Sequence, residues 1–225
     1  MNSPGLARRT LVLLALLMLV STSLQAKKEE LPEVTVEGLH RVPDSKLAVV
    51  YADPGADLVP YKRVKLLDAY VAFRKNWERD QRRSAVSRTG VSAKDMERIK
   101  TRMADEFRAV FTDVLESGGF PVVEETDEDV LLVRPAIVNL DPNAPDLRSA
   151  GRSYSYVTSA GEMTLYIELY DSQTGDLLAK AIDRKVDRDD GFYTWANSVS
   201  NKAAADRILK GWANILLDAL NEAKN

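Results

Sequence analysis

MTLYIELY (163–170), DSQTGD (171–176) and LLAKAIDRKV (177–186) decide the fold. In the first run Met163, Leu165, Ile167 and Leu169 fall on one side of an extended chain, and Thr164, Tyr166, Glu168 and Tyr170 on the other. That period of two is the pattern of a strand with one aliphatic and one amphipathic face. Asp171 to Asp176 is a turn with Gly175 near its end, so Leu177 to Val186 returns as the antiparallel partner. A sheet with one aliphatic face needs a cover on that face.

Two helical stripes supply the cover. Met96, Ile99, Met103, Phe107, Val110, Phe111 and Val114 recur every three or four residues, which predicts an amphipathic helix over roughly 92–117. Ser92 is its N-cap, Asp95 three residues on shortens the capping box, and Gly118-Gly119 stands where a left-handed C-cap is wanted. Ile208, Leu209, Trp212, Ile215, Leu216, Ala219 and Leu220 mark a second helix over about 201–223, with Ser200 or Asn201 as cap. Leu47 to Tyr51 reads as a short strand and Asp53-Pro54-Gly55 as a turn. Arg63 to Phe73 reads as one central strand, apolar on both sides, and Val130 to Leu140 as a strand that Pro135 assigns to an edge or a bulge. The order is β-α-β-β-β-α. The expected fold class is α+β: a two-layer sandwich with a largely antiparallel or mixed sheet and both long helices on one face.

Ahead of this body lies an export signal. Arg8 and Arg9 precede an unbroken apolar run, LVLLALLMLV (11–20), and a more polar stretch ends at Ala26. This is the n-region, h-region and small-residue exit of a secretory signal, with cleavage after Ala26 or, as a fallback, after Ser23. The run is too short to cross a hydrocarbon core of about 30 Å. Residues 27–45, with Pro32, Pro43 and the only histidine, His40, read as a disordered tether. Residues 46–225 then form a single domain. The chain holds no cysteine, so it has no disulfide, no thiolate site and no attachment point for a bacterial lipid anchor. The formal charge is −3, more negative by two once Arg8 and Arg9 leave, which argues against nucleic acid as a partner. The expected location is the periplasm.

The segments VYADPGADLVPYKRVKLLDAYVAFRKNW (50–77), VRPAIVNLDPNAP (133–145), GEMTLYIELYDSQTGDLLAKAIDR (161–184) and WANSVSNKAAADRILKGWA (195–213) together resemble a bacterial family of exported proteins and lipoproteins catalogued only as a domain of unknown function. The resemblance spans roughly residues 45–223. It implies export and one compact envelope domain, and it carries no catalytic residues. Lipoprotein members have a cysteine that this chain lacks.

Three groups of residues are candidates for a site. In the basic stretch 74–83, Trp77 and Arg79 offer an exposed aromatic ring and a cation for an anionic glycan, a lipid headgroup or a protein partner; the plain alternative is a solvated loop with Trp77 packed on the core. Arg152 and Tyr154 before the hairpin, with Trp195, Asn197 and Asn201 at the start of the last helix, combine guanidinium, amide and ring groups suited to a sugar or peptide; the alternative is helix capping with an aromatic lid. Asp183, Asp187, Asp189 and Asp190 cluster, yet lack the spacing of a calcium loop and are interleaved with Arg184, Lys185 and Arg188, which favours ion pairs over a metal.

Enzyme chemistry finds little support. There is no P-loop, no dinucleotide fingerprint and no histidine outside the tether, so neither a catalytic residue nor a cofactor is expected. The reading is a non-catalytic interaction module of the envelope with other envelope proteins as partners, a homo-oligomer being left open. A carrier of lipid, glycan or peptide and a carboxylate-dependent hydrolase are the alternatives.

Overall fold

The computed structural model describes residues 31–83, 91–142, 155–157, 159–188, 194–196 and 198–224. The chain divides into two compact units, Met1–Pro32 and Glu33–Asn225, and every element belongs to the second. The expected export signal lies outside the described residues. In chain order the elements are β1 (His40–Arg41), β2 (Val49–Ala52), β3 (Arg63–Leu66), β4 (Tyr70–Phe73), α1 (Trp77–Arg83), α2 (Ala93–Ser117), β5 (Val130–Pro142), β6 (Ser155–Val157), β7 (Ser159–Asp171), β8 (Leu177–Arg188), β9 (Thr194–Ala196) and α3 (Ser198–Glu222).

The fold is mixed α+β, built on a seven-stranded sheet. Its order is β1-β2-β8-β7-β5-β3, with β4 also paired to β5; β6 and β9 form a separate ribbon. The hairpin read at 163–186 is the β7–β8 pair. Antiparallel pairing joins β1, β2, β8, β7 and β5 in turn, whereas β3 and β4 both run parallel to β5.

Four expectations need correction. The single strand over 63–73 is two, because the chain leaves the sheet at 67–69. β5 is not an edge, and Pro135 survives in its middle for a reason the sequence hides. Leu67 N donates to Val133 O at 3.0 Å, so residues 133 and 135 present their backbone polar groups to the β3/β4 side. Register places Leu66 opposite Val133 and Tyr70 opposite Ala136; the missing N–H of Pro135 therefore faces the interruption, where no ladder bond is demanded. The bulge comes later, where Asn139 adopts φ 52° and the register with β7 shifts between Val138 and Asp141. Third, residues 33–42 are not a tether. Arg41 N donates to Glu33 O and Thr35 N to Leu39 O, both at 2.9 Å, while Leu39 is buried and β1 extends the sheet. Only one apolar side chain there is buried, too little to give a periodic signal. Fourth, α3 begins at Ser198, so Ser200 and Asn201 stand in its first turn and not at its cap.

α2 matches its sequence closely. Asp95 N donates to Ser92 Oγ at 3.1 Å and Ser92 N to Asp95 Oδ2 at 3.2 Å, the reciprocal capping box. At the other end Gly119 has φ 86°, Gly119 N donates to Glu116 O and Phe120 N to Leu115 O. That is the Schellman closure, with Phe120 fully buried behind it. The buried side chains of α2 (Phe107, Val110, Phe111, Leu115) and α3 (Leu209, Trp212, Ala213, Leu220) share one core with Leu131, Val133 and Ile137 of β5 and Leu165, Ile167 and Leu169 of β7. At roughly 25 cal/mol per Å² of apolar surface, burying side chains of this size dominates the stability of the fold. The inner face of the sheet is thus the core face. The outer face is where the polar side chains of the hairpin go.

Candidate functional site

Register fixes what the outer face presents. One row crosses five strands: Tyr70 of β4, Ala136 of β5, Tyr166 of β7, Ile182 of β8 and Val49 of β2. Tyr70 is 67% exposed and Ile182 40%. The adjacent row is polar: Arg134 of β5, Glu168 of β7, Lys180 of β8, Tyr51 of β2 and Arg41 of β1. Cross-strand neighbours on one face approach within about 5 Å, so each row is a contact series.

Glu168 is the centre of this face. It is only 6% exposed, although it points away from the core. Its carboxylate accepts from Tyr166 Oη at 2.6 Å on Oε1, and from Tyr170 Oη at 2.9 Å and Arg134 Nε at 2.6 Å on Oε2. Arg134 Nη2 also donates to Oε2. Burial alone raises the acid's pKa; the two phenols and the guanidinium outweigh it and hold the carboxyl below its usual range. The same contacts push both phenols upward, burial first and Glu168 second. The group is therefore a saturated anion and no proton donor near neutrality.

Arg134 is held as firmly. Its guanidinium lies over the Tyr170 ring, 5.3 Å from the centroid, and still leaves 57% of the side chain in solvent. On the other side of Glu168, Lys180 donates to Glu37 at 2.8 Å, which draws Glu37 down to about 2. Arg184 pairs with Glu162.

A second buried carboxylate, Asp183, lies on the inner face. It accepts from Trp212 Nε1 at 2.7 Å and Ala48 N at 3.0 Å, with Lys185 Nζ 3.1 Å away. This bond set ties α3 and the segment entering β2 to β8. Among the described residues no group of three or more acids, histidines or cysteines is placed to hold a metal, and Asp189 and Asp190 lie outside them.

The other sequence candidates that are described lie on α1, β9 and α3. Trp77 is not exposed: it opens α1, is 1% accessible and stacks on Phe73 with ring centroids 4.2 Å apart. The basic stretch around it is largely neutralised. Arg74 donates to Asp141 Oδ2 at 2.6 Å and Asp80 Oδ2 at 2.9 Å, Arg82 pairs with Glu78, and Arg79 lies 3.6 Å from Asp80. Sequence distance hid Asp141 from that reading. Trp195 falls in β9 and Asn201 in α3, while Arg152, Tyr154 and Asn197 lie outside the described residues. The cluster at Glu168 was half visible: Tyr166, Glu168 and Tyr170 share a face by alternation, but only the β5–β7 register brings Arg134 to them. Along α2, Asp105, Arg108, Thr112 and Glu116 border an open groove of about 640 Å³ that reaches Val122.

Among curated proteins none matches the chain. Solved structures that the chain resembles include a PelC dodecamer from Paraburkholderia phytofirmans, 12% identical over 75% of this chain and 96% of that one, with a TM-score of 0.38. A DUF330 protein from Xanthomonas campestris is 12% identical over 74% and 86%, at 0.39. A minor lipoprotein from Acinetobacter baumannii is 11% identical over 70% and 91%, at 0.33. The model of one family spans residues 36–216, and the chain belongs to that family, described as protein of unknown function (DUF3313).

Proposed function

We propose that this protein is a non-catalytic interaction module of the bacterial envelope, released into the periplasm by cleavage near Ala26, and that its working surface is the outer face of the sheet. In this reading the domain is a two-layer sandwich, with α2 and α3 closing one face and leaving the other for a partner. The observation that carries it is the contrast on that outer face. Its one buried carboxylate among the described residues, Glu168, is saturated by three donor side chains, while Tyr70, Ile182, Arg134 and Arg184 stand in solvent around it. Acid–base chemistry wants a group poised near the working pH; a carboxylate held low by its donors is arranged to keep its neighbours in place. No described helix is long and apolar enough to cross a membrane, and the α2 groove is open, unlike the enclosing cavity that a carrier uses.

The test has two arms. Osmotic-shock fluid should contain a chain that begins after Ala26 or Ser23; finding Met1 on the chain in the cytosol would sink the export half. In living cells, the double variant Tyr70→Glu/Ile182→Glu should lose the envelope crosslinks formed by the native protein and keep its melting temperature within a few degrees. Unchanged crosslinks in that variant would move the working surface elsewhere.

A further inference from the structure

Resting on that reading of the outer face, we infer that the surface patch formed by Arg134, Lys65 and Tyr70 binds a carboxylate-bearing polysaccharide, the carboxylate seated on Arg134 and a sugar ring laid on Tyr70. The guanidinium carries the argument. Glu168 takes the edge formed by Nε and Nη2. The end-on edge, one N–H from each Nη, remains, and that fork matches the two oxygens of a carboxylate. The Tyr170 ring beneath it and Glu168 beside it fix its plane before any ligand arrives, so little side-chain entropy is lost on binding.

The flanking positions suit the same ligand. Lys65 is opposite Leu132 and Tyr70 opposite Ala136, the two residues that bracket Arg134 on the outer face of β5. From strand spacing, each has its Cα about 8 Å from that of Arg134. Lys65 enters no ion pair and the Tyr70 hydroxyl no hydrogen bond among the described residues. The chain interrupts its pairing with β5 between them, at 67–69. An available cation and fork on one side and an exposed ring on the other complement an anion attached to a ring with an apolar face. Arg134 is balanced by Glu168, so the charge that Lys65 adds is the one without an ion-pair partner among the described residues of the patch.

The experiment is affinity electrophoresis of the full chain through gels containing polygalacturonate or neutral dextran, with flotation on phosphatidylglycerol vesicles as a third arm. Polygalacturonate should retard the native protein, less so as salt rises, while dextran and vesicles leave it unaffected. Arg134→Ala should weaken retardation about tenfold or more, the scale of a lost charged hydrogen bond. Lys65→Ala, which breaks no ion pair among the described residues, should weaken it several-fold, as should Tyr70→Ala; Arg134→Lys should recover only part, having no fork. Absence of retardation, equal retardation by dextran, binding to vesicles alone, or indifference to both Lys65→Ala and Arg134→Lys would overturn the assignment. Loss of crosslinks in Tyr70→Glu/Ile182→Glu without polygalacturonate binding would leave the interaction surface standing and remove only this ligand.

Discussion

Glu168 and Asp183 lie on neighbouring strands of the same hairpin, both almost wholly buried, on opposite faces of the sheet. The donors around them differ in kind. Asp183 is held by the buried indole N–H of Trp212 from α3, which has nowhere else to turn, by the backbone N–H of exposed Ala48 ahead of β2, and by the Lys185 ammonium. Glu168 is held by two phenols and a guanidinium that reach it from an open face. A buried charge is tolerated only when its donors are complete, and both sites meet that condition. The difference lies in what the donors can do if the acid is removed. The indole that serves Asp183 would be stranded in the core; the donors of Glu168 would turn to water. The inner carboxylate therefore serves stability, and the outer one serves the posture of its neighbours.

The sharpest attempt to break this contrast is Asp183→Ala. It leaves the buried Trp212 Nε1 without an acceptor, which costs on the order of 1–3 kcal/mol, while the exposed Ala48 N–H and Lys185 turn to water. Urea unfolding should give a loss of about 2–3 kcal/mol. A loss under about 1 kcal/mol would mean that the indole has other options. Glu168→Gln should cost less, about 1–2 kcal/mol, because its donors can be resolvated. It should also change the pH profile. The folded-state pKa of Glu168 is lowered, so its bonds contribute stability above the usual carboxylate value of 4.5 and lose it as pH falls through the lowered one. Subtracting the Glu168→Gln profile from the native profile should reveal a stabilisation that is constant near neutrality and fades in acid. A flat difference would remove the charge from the account. Tyr170→Phe comes next, at about 1 kcal/mol, since one of three donors leaves and the other two remain.

The legible part of this molecule is the part governed by local rules. Alternation in 163–170 gives β7 and its two faces, and the stripe with Ser92, Asp95 and the paired glycines gives α2 with both ends. What the sequence withheld depends on pairing between distant segments. The break at 67–69 cannot be read from a run that is apolar on both sides, yet it explains how Pro135 sits in a central strand. Arg134 is separated from Glu168 by 34 residues and meets it through register alone. Trp77, set among charges, looks like a surface residue until Arg74 is seen turning to Asp141 and Asp80 and the ring is found against Phe73. Aromatic burial there is decided by α1, a single short helix whose pattern is too brief to recognise.

The smallest expected effect lies at Arg184, and it tests whether position on the outer face is enough to matter. Arg184 stands on β8 opposite Thr164 and pairs with Glu162, with 61% of its side chain in water. Unlike Arg134 it has no ring beneath it and no buried partner among the described residues. An exposed pair of this kind contributes about 0–1 kcal/mol, because solvent screens the attraction and ordering two long side chains offsets the rest. Arg184→Ala should shift the urea midpoint by no more than the equivalent of about 0.5 kcal/mol. It should also leave the Glu168-dependent acid difference unchanged, since Arg184 is not among the donors to that carboxylate. A larger loss, or a changed acid profile, would mean that the outer face acts as one coupled charge network, and the distinction drawn at Glu168 would have to be widened to the whole row.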